Sequence, residues 1–551
     1  RSAVIDAKGQ ETTFTYDAAG RVLTRRDPLG NTVTRTYDVT GNVATQTDPN
    51  GNLRRFFYDR ANRMMRKELP DDVIEMVYDS RDRLIEGRNS NTVSQFSHDS
   101  RGRVLSQRTY GRGALAGLPD VSMSIAYDGN GNRIRMTDPS GPTTYEWDDG
   151  DRLSQITNPW NELFSIGFDS QGRVSQIARP GSVSRISYDP THFLNEILHE
   201  STGGALISSF GYTRDAAGQR VTSTKDGLYS QSFGYDGDHQ LTSSTNPEAA
   251  STSYENETFS YDSTHNRTSD NQGAYTFDTS GQRLLEDYRY LYIWDQNGNL
   301  ISKQGKGMTG EVTQYLYTSE NQLKEVRFFA SPTATTPWKT ARYFYDALGR
   351  RVQKVVSDTT APSDVNRTFT RKFAYDGEHI LREYDGSNQL LARYTHPPQL
   401  SKTPIDDVLS VQVTTAGVAA GMAQATGSYQ FLKDALGTIH AVANSSGVRV
   451  AGFVYSAYGI LLATKDGLGN DATANPPVRF AHLFTGREFD IETGLYYFRA
   501  RYLDPLIGRF LQVDPKEGSA ASPSTIIQRY AYGGNNPVSA IDPDGQFFFL
   551  I

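Results

Sequence analysis

Cysteine is missing from all 551 residues. That excludes disulfides, thiolate metal sites and cysteine nucleophiles, and it fits either redox compartment. Long apolar runs are missing too. Nothing approaches the roughly 18 residues of a membrane-spanning helix. The Ala/Gly run from Thr414 to Gly427 is mild, and the terminal FFFLI is too short. A basic excess is also lacking: the net charge is −7, with none of the clustered basic surface that nucleic acid requires. The nine histidines are scattered, with no His-x-x-x-His or His–carboxylate cluster. No metal site and no cofactor are therefore expected. No phosphate loop follows a strand and opens a helix; the glycines of "YDGNGNR" belong to a turn.

What is present points to β-structure. Apolar residues make up only 37%, yet the chain carries 49 glycines and 32 tyrosines. Aromatics at 11% argue against disorder. Many tyrosines beside short turns suit a large sheet. An aromatic–Asp pair recurs at Tyr16–Asp17, Tyr37–Asp38, Tyr58–Asp59 and Tyr78–Asp79, in steps of 21, 21 and 20 residues. It continues through Tyr127–Asp128, Trp147–Asp148, Phe168–Asp169 and Tyr188–Asp189 and returns as late as Tyr375–Asp376. Each unit reads aromatic-Asp-x-x-Gly-Arg/Asn-apolar. The aspartate opens a turn by accepting backbone N–H groups ahead of it, and the glycine takes an angle other residues resist. The flanks alternate with period two, as in "TVTRTYD", so each unit predicts strand–turn–strand. Asp-Pro-x-Gly turns at Asp27, Asp48 and Asp138 close units. The units join into one long antiparallel sheet, which accumulated twist must curl.

This unit resembles the YD repeat of the Rhs/YD-repeat family. That family includes bacterial Rhs polymorphic toxins, the C components of insecticidal toxin complexes, wall-associated proteins and the animal teneurins. The resemblance implies an all-β fold, an antiparallel strip spiralling into a hollow shell. It also implies that toxin members enclose a C-terminal toxin domain as cargo.

The C-terminal stretch carries more. "FTGREFDIETGLYYFRARYLDPLIGRFLQVDPKEG" (484–518) and "RYAYGGNNPVSAIDPDG" (529–545) resemble the Rhs core-associated signature. In toxin members that region is similar to an aspartic autoprotease. Carried over by motif, its aspartates are Asp514 and Asp542, and its arginine is Arg501, with Arg509 as a second candidate. Two carboxylates sharing one proton can activate water and protonate the leaving group, and an arginine can hold the charge that develops. The resemblance places the cut just downstream, near Leu550 and Ile551, with Phe547 to Leu550 extended beside the pair. The 28 positions from Asp514 to Asp542 exceed the usual family spacing, and "GSAASPSTII" holds the extra length. Turn-only roles stay open for both aspartates, because Asp-Pro-x-Gly is a plain turn elsewhere in the chain. Pairing with neighbouring aspartates stays open for both arginines.

The expected organisation is a repeat shell over 1–400, a late shell segment over 401–483 and the core-associated region over 484–551. An upstream portion of the shell is expected before residue 1, where the chain starts in mid-repeat. The expected function is a cage that frees its toxin by a single-turnover aspartic self-cleavage. Delivery would run through a bacterial secretion system, such as type VI, to the outside or the cell surface. The expected partners are that cargo and an upstream shell or secretion component, with no nucleic acid and no membrane span. The alternative is a wall-associated or teneurin-like adhesion protein that binds carbohydrate or protein. A glycoside-acting enzyme ranks last, because no carboxylate pair stands out beyond 514 and 542.

Overall fold

In a repeat unit the aspartate carboxylate organises everything around it. Asp17 Oδ1 accepts the amides of Ala19 and Arg21 at 2.9 Å, and Oδ2 accepts Arg21 Nε at 2.7 Å. The same pattern recurs at Asp59, Asp99 and Asp169. The residue three past the aspartate is left-handed: Gly20 has φ 79°. Where glycine is absent, Asn62, Asp82, Asp151 and His192 hold that angle, the residue types that tolerate it best.

The tyrosine then ties one unit to the last. Tyr37 Oη donates to the Val22 carbonyl at 2.7 Å, and the Arg21 guanidinium lies 4.5 Å from the Tyr37 ring centre. Tyr188 does the same with Val174 and Arg173. Where the turn carries an arginine, the repeat thus contributes a hydrogen bond and a cation–π contact to its neighbour; at Tyr58, which follows Asn42, the hydrogen bond to Val43 stands alone. The repeat tyrosines Tyr37 and Tyr188 are hydrogen-bond donors as well as packing residues.

The structure is a computed structural model. It describes residues 2–307, 310–360, 368–398, 407–516 and 529–546, with 549–550 as backbone. Among these residues, 26 strands from Ala3–Ile5 to Gly273–Ala274 form one strip and 16 strands from Thr276–Phe277 to Leu461–Asp466 a second. Within each strip every strand pairs antiparallel with its neighbour in sequence. No helix among the described residues is long and apolar enough to cross a membrane.

The two strips meet along a seam. Turn and strand-end residues of the first strip touch turns and strands of the second. Asn50 Nδ2 donates to Asp295 at 2.9 Å, Asn89 Nδ2 to the Tyr345 carbonyl at 3.0 Å, and Gln107 Nε2 to the Tyr375 carbonyl at 3.0 Å. Arg133 pairs with Asp376 at 2.8 Å, and Asp138 with Arg393 at 3.0 Å. Asn246 Nδ2 reaches the Tyr455 carbonyl at 2.8 Å. The sequence separations of the amide bonds run from 209 to 268 residues. The strip therefore closes a circuit about every dozen units, which makes it a spiral.

At one point along the seam glycine meets glycine, with no room for a side chain between them. A Cβ on Gly447, at φ 76°, would stand 1.9 Å from the Gly181 carbonyl oxygen. Gly447→Ala is expected to cost about 2 kcal/mol or more, from left-handed strain plus overpacking. Denaturant unfolding measures it, and an unchanged midpoint would refute the close seam there.

Candidate functional site

The C-terminal region packs on this wall through a small antiparallel sheet: Glu488–Asp490, Leu495–Phe498, Arg501–Asp504 and Arg509–Phe510. Its tyrosines Tyr497 and Tyr502 are buried against Tyr343 and Tyr345 of the second strip. Asn535 and Asn536 donate to the carbonyls of His265 and His239 at 2.7 and 3.0 Å, sealing aspartate turns of the first strip.

Arg501 lies at the start of one of these strands, directly after a two-residue turn. Its guanidinium is buried, with the Phe510 ring centre 3.7 Å from Cζ. Nη2 lies 3.0 Å from Asp542 Oδ2 and 3.2 Å from Asp514 Oδ2. Both carboxylates thus share one nitrogen, so the two oxygens stand no more than about 6 Å apart. Nη1 donates to the Arg529 carbonyl at 3.1 Å, which also accepts the Asp514 amide at 3.1 Å. Nε donates to the Gly545 carbonyl.

The aspartates sit in unlike surroundings. Asp542 is 3% exposed, and its Oδ1 accepts the Gln546 amide at 3.0 Å. That is the geometry of a repeat turn, with Arg501 standing where the turn's own arginine would be. Asp514 accepts the Lys516 amide at 2.8 Å. It faces a cleft of about 470 Å³ lined by Arg25, Arg35, Arg54, Arg283, Asp27 and Asp48. Burial pushes its carboxyl above the ordinary value, against the pull of Arg501. Burial likewise lowers Arg501, against Asp514 and Asp542.

Arg509 is not brought to this pair. Its Nη2 donates to the Gln282 carbonyl at 2.8 Å and lies 3.3 Å from Asn266 Oδ1, in the repeat wall. It pairs across the sheet with Asp504, three residues along from Arg501. Three strand steps put it about 10 Å away and on the other face.

Gly545 is a participant that the motif alone does not mark. At φ 73°, a Cβ there would meet the Phe498 carbonyl oxygen at 2.6 Å. The bare glycine lets the Asp542 turn lie on the turn that carries Arg501. Beyond it, Phe549–Leu550 runs antiparallel to Ala540–Ile541, with Ile541 opposite Phe549. Phe547, Phe548, Ile551 and the segment 517–528 lie outside the described residues.

The comparisons agree with this architecture. The RHS Repeat family model matches residues 2–32, 37–71 and 127–159. The chain is 28% identical over 439 residues to a Bacillus spizizenii tRNA3(Ser)-specific nuclease WapA, covering 78% of this chain and 15% of that one. It is 26% identical over 472 residues to a double-stranded DNA deaminase toxin A of Burkholderia cenocepacia, covering 78% and 31%. The chain therefore spans less than a third of either relative. Among solved structures, the Photorhabdus luminescens Tc holotoxin pore with a TccC3 variant superposes over 97% of this chain and 29% of that one. The TM-score is 0.73 at 15% identity, a likeness of fold. Repeat unit, spiral strip and relatives agree: the chain carries RHS repeats and is similar over 78% of its length to these two relatives.

Proposed function

We propose that this chain is the wall of a toxin cage that releases its enclosed C-terminal effector by cutting itself once, just past Asp542. The observation that carries this is the single Arg501 nitrogen held by both Asp514 and Asp542, beside a turn that leads into the strand Phe549–Leu550. In this reading Asp514, the carboxyl that opens onto the cleft, carries the proton of the pair, in keeping with the upward push of burial on it. Asp542 then takes a proton from water, and the hydroxide adds to the scissile carbonyl. The C–N bond breaks, and the Asp514 proton goes to the leaving nitrogen. Arg501 holds the charge that shifts between the carboxylates. Two relatives that are a nuclease and a deaminase toxin by name support an effector as cargo. Delivery to a competitor or host cell through a secretion apparatus belongs to the same reading, with an upstream shell component as partner.

The full-length gene product tests this. Two fragments on a denaturing gel that co-elute as one native particle are expected, with intact mass placing the cut near Leu550 and Ile551. A single uncut chain defeats the reading. A fragment ending far from Leu550 defeats the placement.

A further inference from the structure

Arg501, which reaches both carboxylates, follows a turn that is anchored on two sides. That turn has two residues, Arg499 and Ala500, between the paired Phe498 and Arg501. Arg499 has φ 60°, an angle that costs a non-glycine residue on the order of 1 kcal/mol or more. Its side chain accounts for the choice of residue. Nη1 bonds Glu488 Oε1 at 2.6 Å, and Nη2 donates to the Glu378 carbonyl at 2.8 Å. Glu488 is buried and also accepts from Arg351 of the wall strand Arg351–Asp358, at 2.7 Å. The turn is thereby pinned to the wall from one side. From the other, the Ala500 amide lies 3.3 Å from the Asp544 carbonyl, inside the Asp542 turn.

We infer that Arg499 is a positioning residue, which locks the turn between wall and Asp542 so that the Arg501 guanidinium spans both carboxylates. It touches neither carboxylate and acts through Arg501. This rests on the self-cleavage reading above. A lysine cannot replace it, because one ammonium lacks the fork that meets Glu488 and the Glu378 carbonyl together.

The test is Arg499→Gly in the full-length gene product. Glycine accepts φ 60° without strain, so the turn persists while its anchor is lost. Single-turnover cleavage is expected to slow about 10- to 100-fold, the scale of an ångström-sized misplacement. The pH profile separates positioning from general weakening. The charges nearest Asp514 are Arg501, Arg529 and Lys516, with Arg25, Arg35, Arg54, Arg283, Asp27 and Asp48 of the wall across the cleft, and those nearest Arg501 are Asp514, Asp542 and Asp544. If Arg501 drifts off the pair, both carboxylates bind protons more tightly. Both limbs of the profile should then move to higher pH by about 0.5–1 unit. Cleavage by R499G at the wild-type rate, or slower cleavage with an unmoved profile, overturns the inference. An uncut wild type overturns the self-cleavage reading itself. Should R499G not fold, R499K carries the test: wild-type kinetics there overturn the inference, and slowing with the same upward shift supports it.

Discussion

Asp542→Asn is expected to leave the full-length chain as one polypeptide where wild type gives two. Asparagine keeps the shape of aspartate. Its Oδ1 can still accept the Gln546 amide, so the turn that ends at Gly545 should stand. What it loses is the ability to take a proton from water. Removing one member of an acid–base pair commonly costs about 10²–10⁴-fold. A cut complete within minutes would then take days. Asp514→Asn should fail for the complementary reason, because it has no acidic proton to give. A time course on denaturing gels with intact mass reads both. Two fragments from D542N at the wild-type rate would return Asp542 to the plain turn it resembles.

The second large effect concerns stability. Arg351→Met should destabilise the packing of the C-terminal sheet on the wall by about 3–5 kcal/mol, the usual consequence of breaking a buried ion pair from one side. Arg351 is almost fully buried, with its guanidinium between Asp490 and Glu488 and 3.2 Å from Tyr502 Oη. Lys354 completes the cluster, at 2.9 Å from Asp490 and 3.0 Å from Glu492. Removing Arg351 leaves two buried carboxylates with fewer donors and nothing polar in its place. The pH dependence has a definite sign. Burial raises the Asp490 carboxyl, but Arg351 and Lys354 outweigh burial and hold it below the ordinary value. The stability it contributes is present above the unfolded value and lost as pH falls through the depressed folded one. R351M should therefore unfold at a higher pH on acidification as well as at a lower temperature. Calorimetry across the acid range measures both. A thermal midpoint within a degree of wild type would mean that the cluster is not closed.

Much of the wall was legible in the sequence, because its information is local. The interval near twenty, the aspartate that opens each turn and the left-handed residue three later all act within one hairpin. Arg501, Asp514 and Asp542 were legible through a motif, and the structure brings them onto one nitrogen. Arg509 belongs to the same motif, but strand alternation sends it to the opposite face and end. That depends on pairing register, which spacing alone does not reveal. The tyrosine hydroxyls were hidden for a similar reason: each finds its acceptor in the preceding unit, about 15 residues away for Tyr37 and Val22. The Arg351 cluster was not visible at all. Its partners lie 137 and 139 positions further on, in a segment that reads as unremarkable signature residues.

The seam also sets a rule of arithmetic for how such a wall can change. Its partners are chemically specific: Asp138 meets Arg382 and Arg393, Asn50 meets Asp295, and Gly181 meets Gly447. Deleting one hairpin from the middle of a circuit would slide every later unit past its mate, setting aspartate against carbonyl and bulk against glycine. The two edges work like a ratchet that accepts only whole circuits. Residues can be added more cheaply within a turn whose tip faces solvent, as at Val39 and Thr40, because the paired strands on either side keep their register. Inside the wound wall the repeat number is effectively frozen, however interchangeable the repeats look when read one at a time.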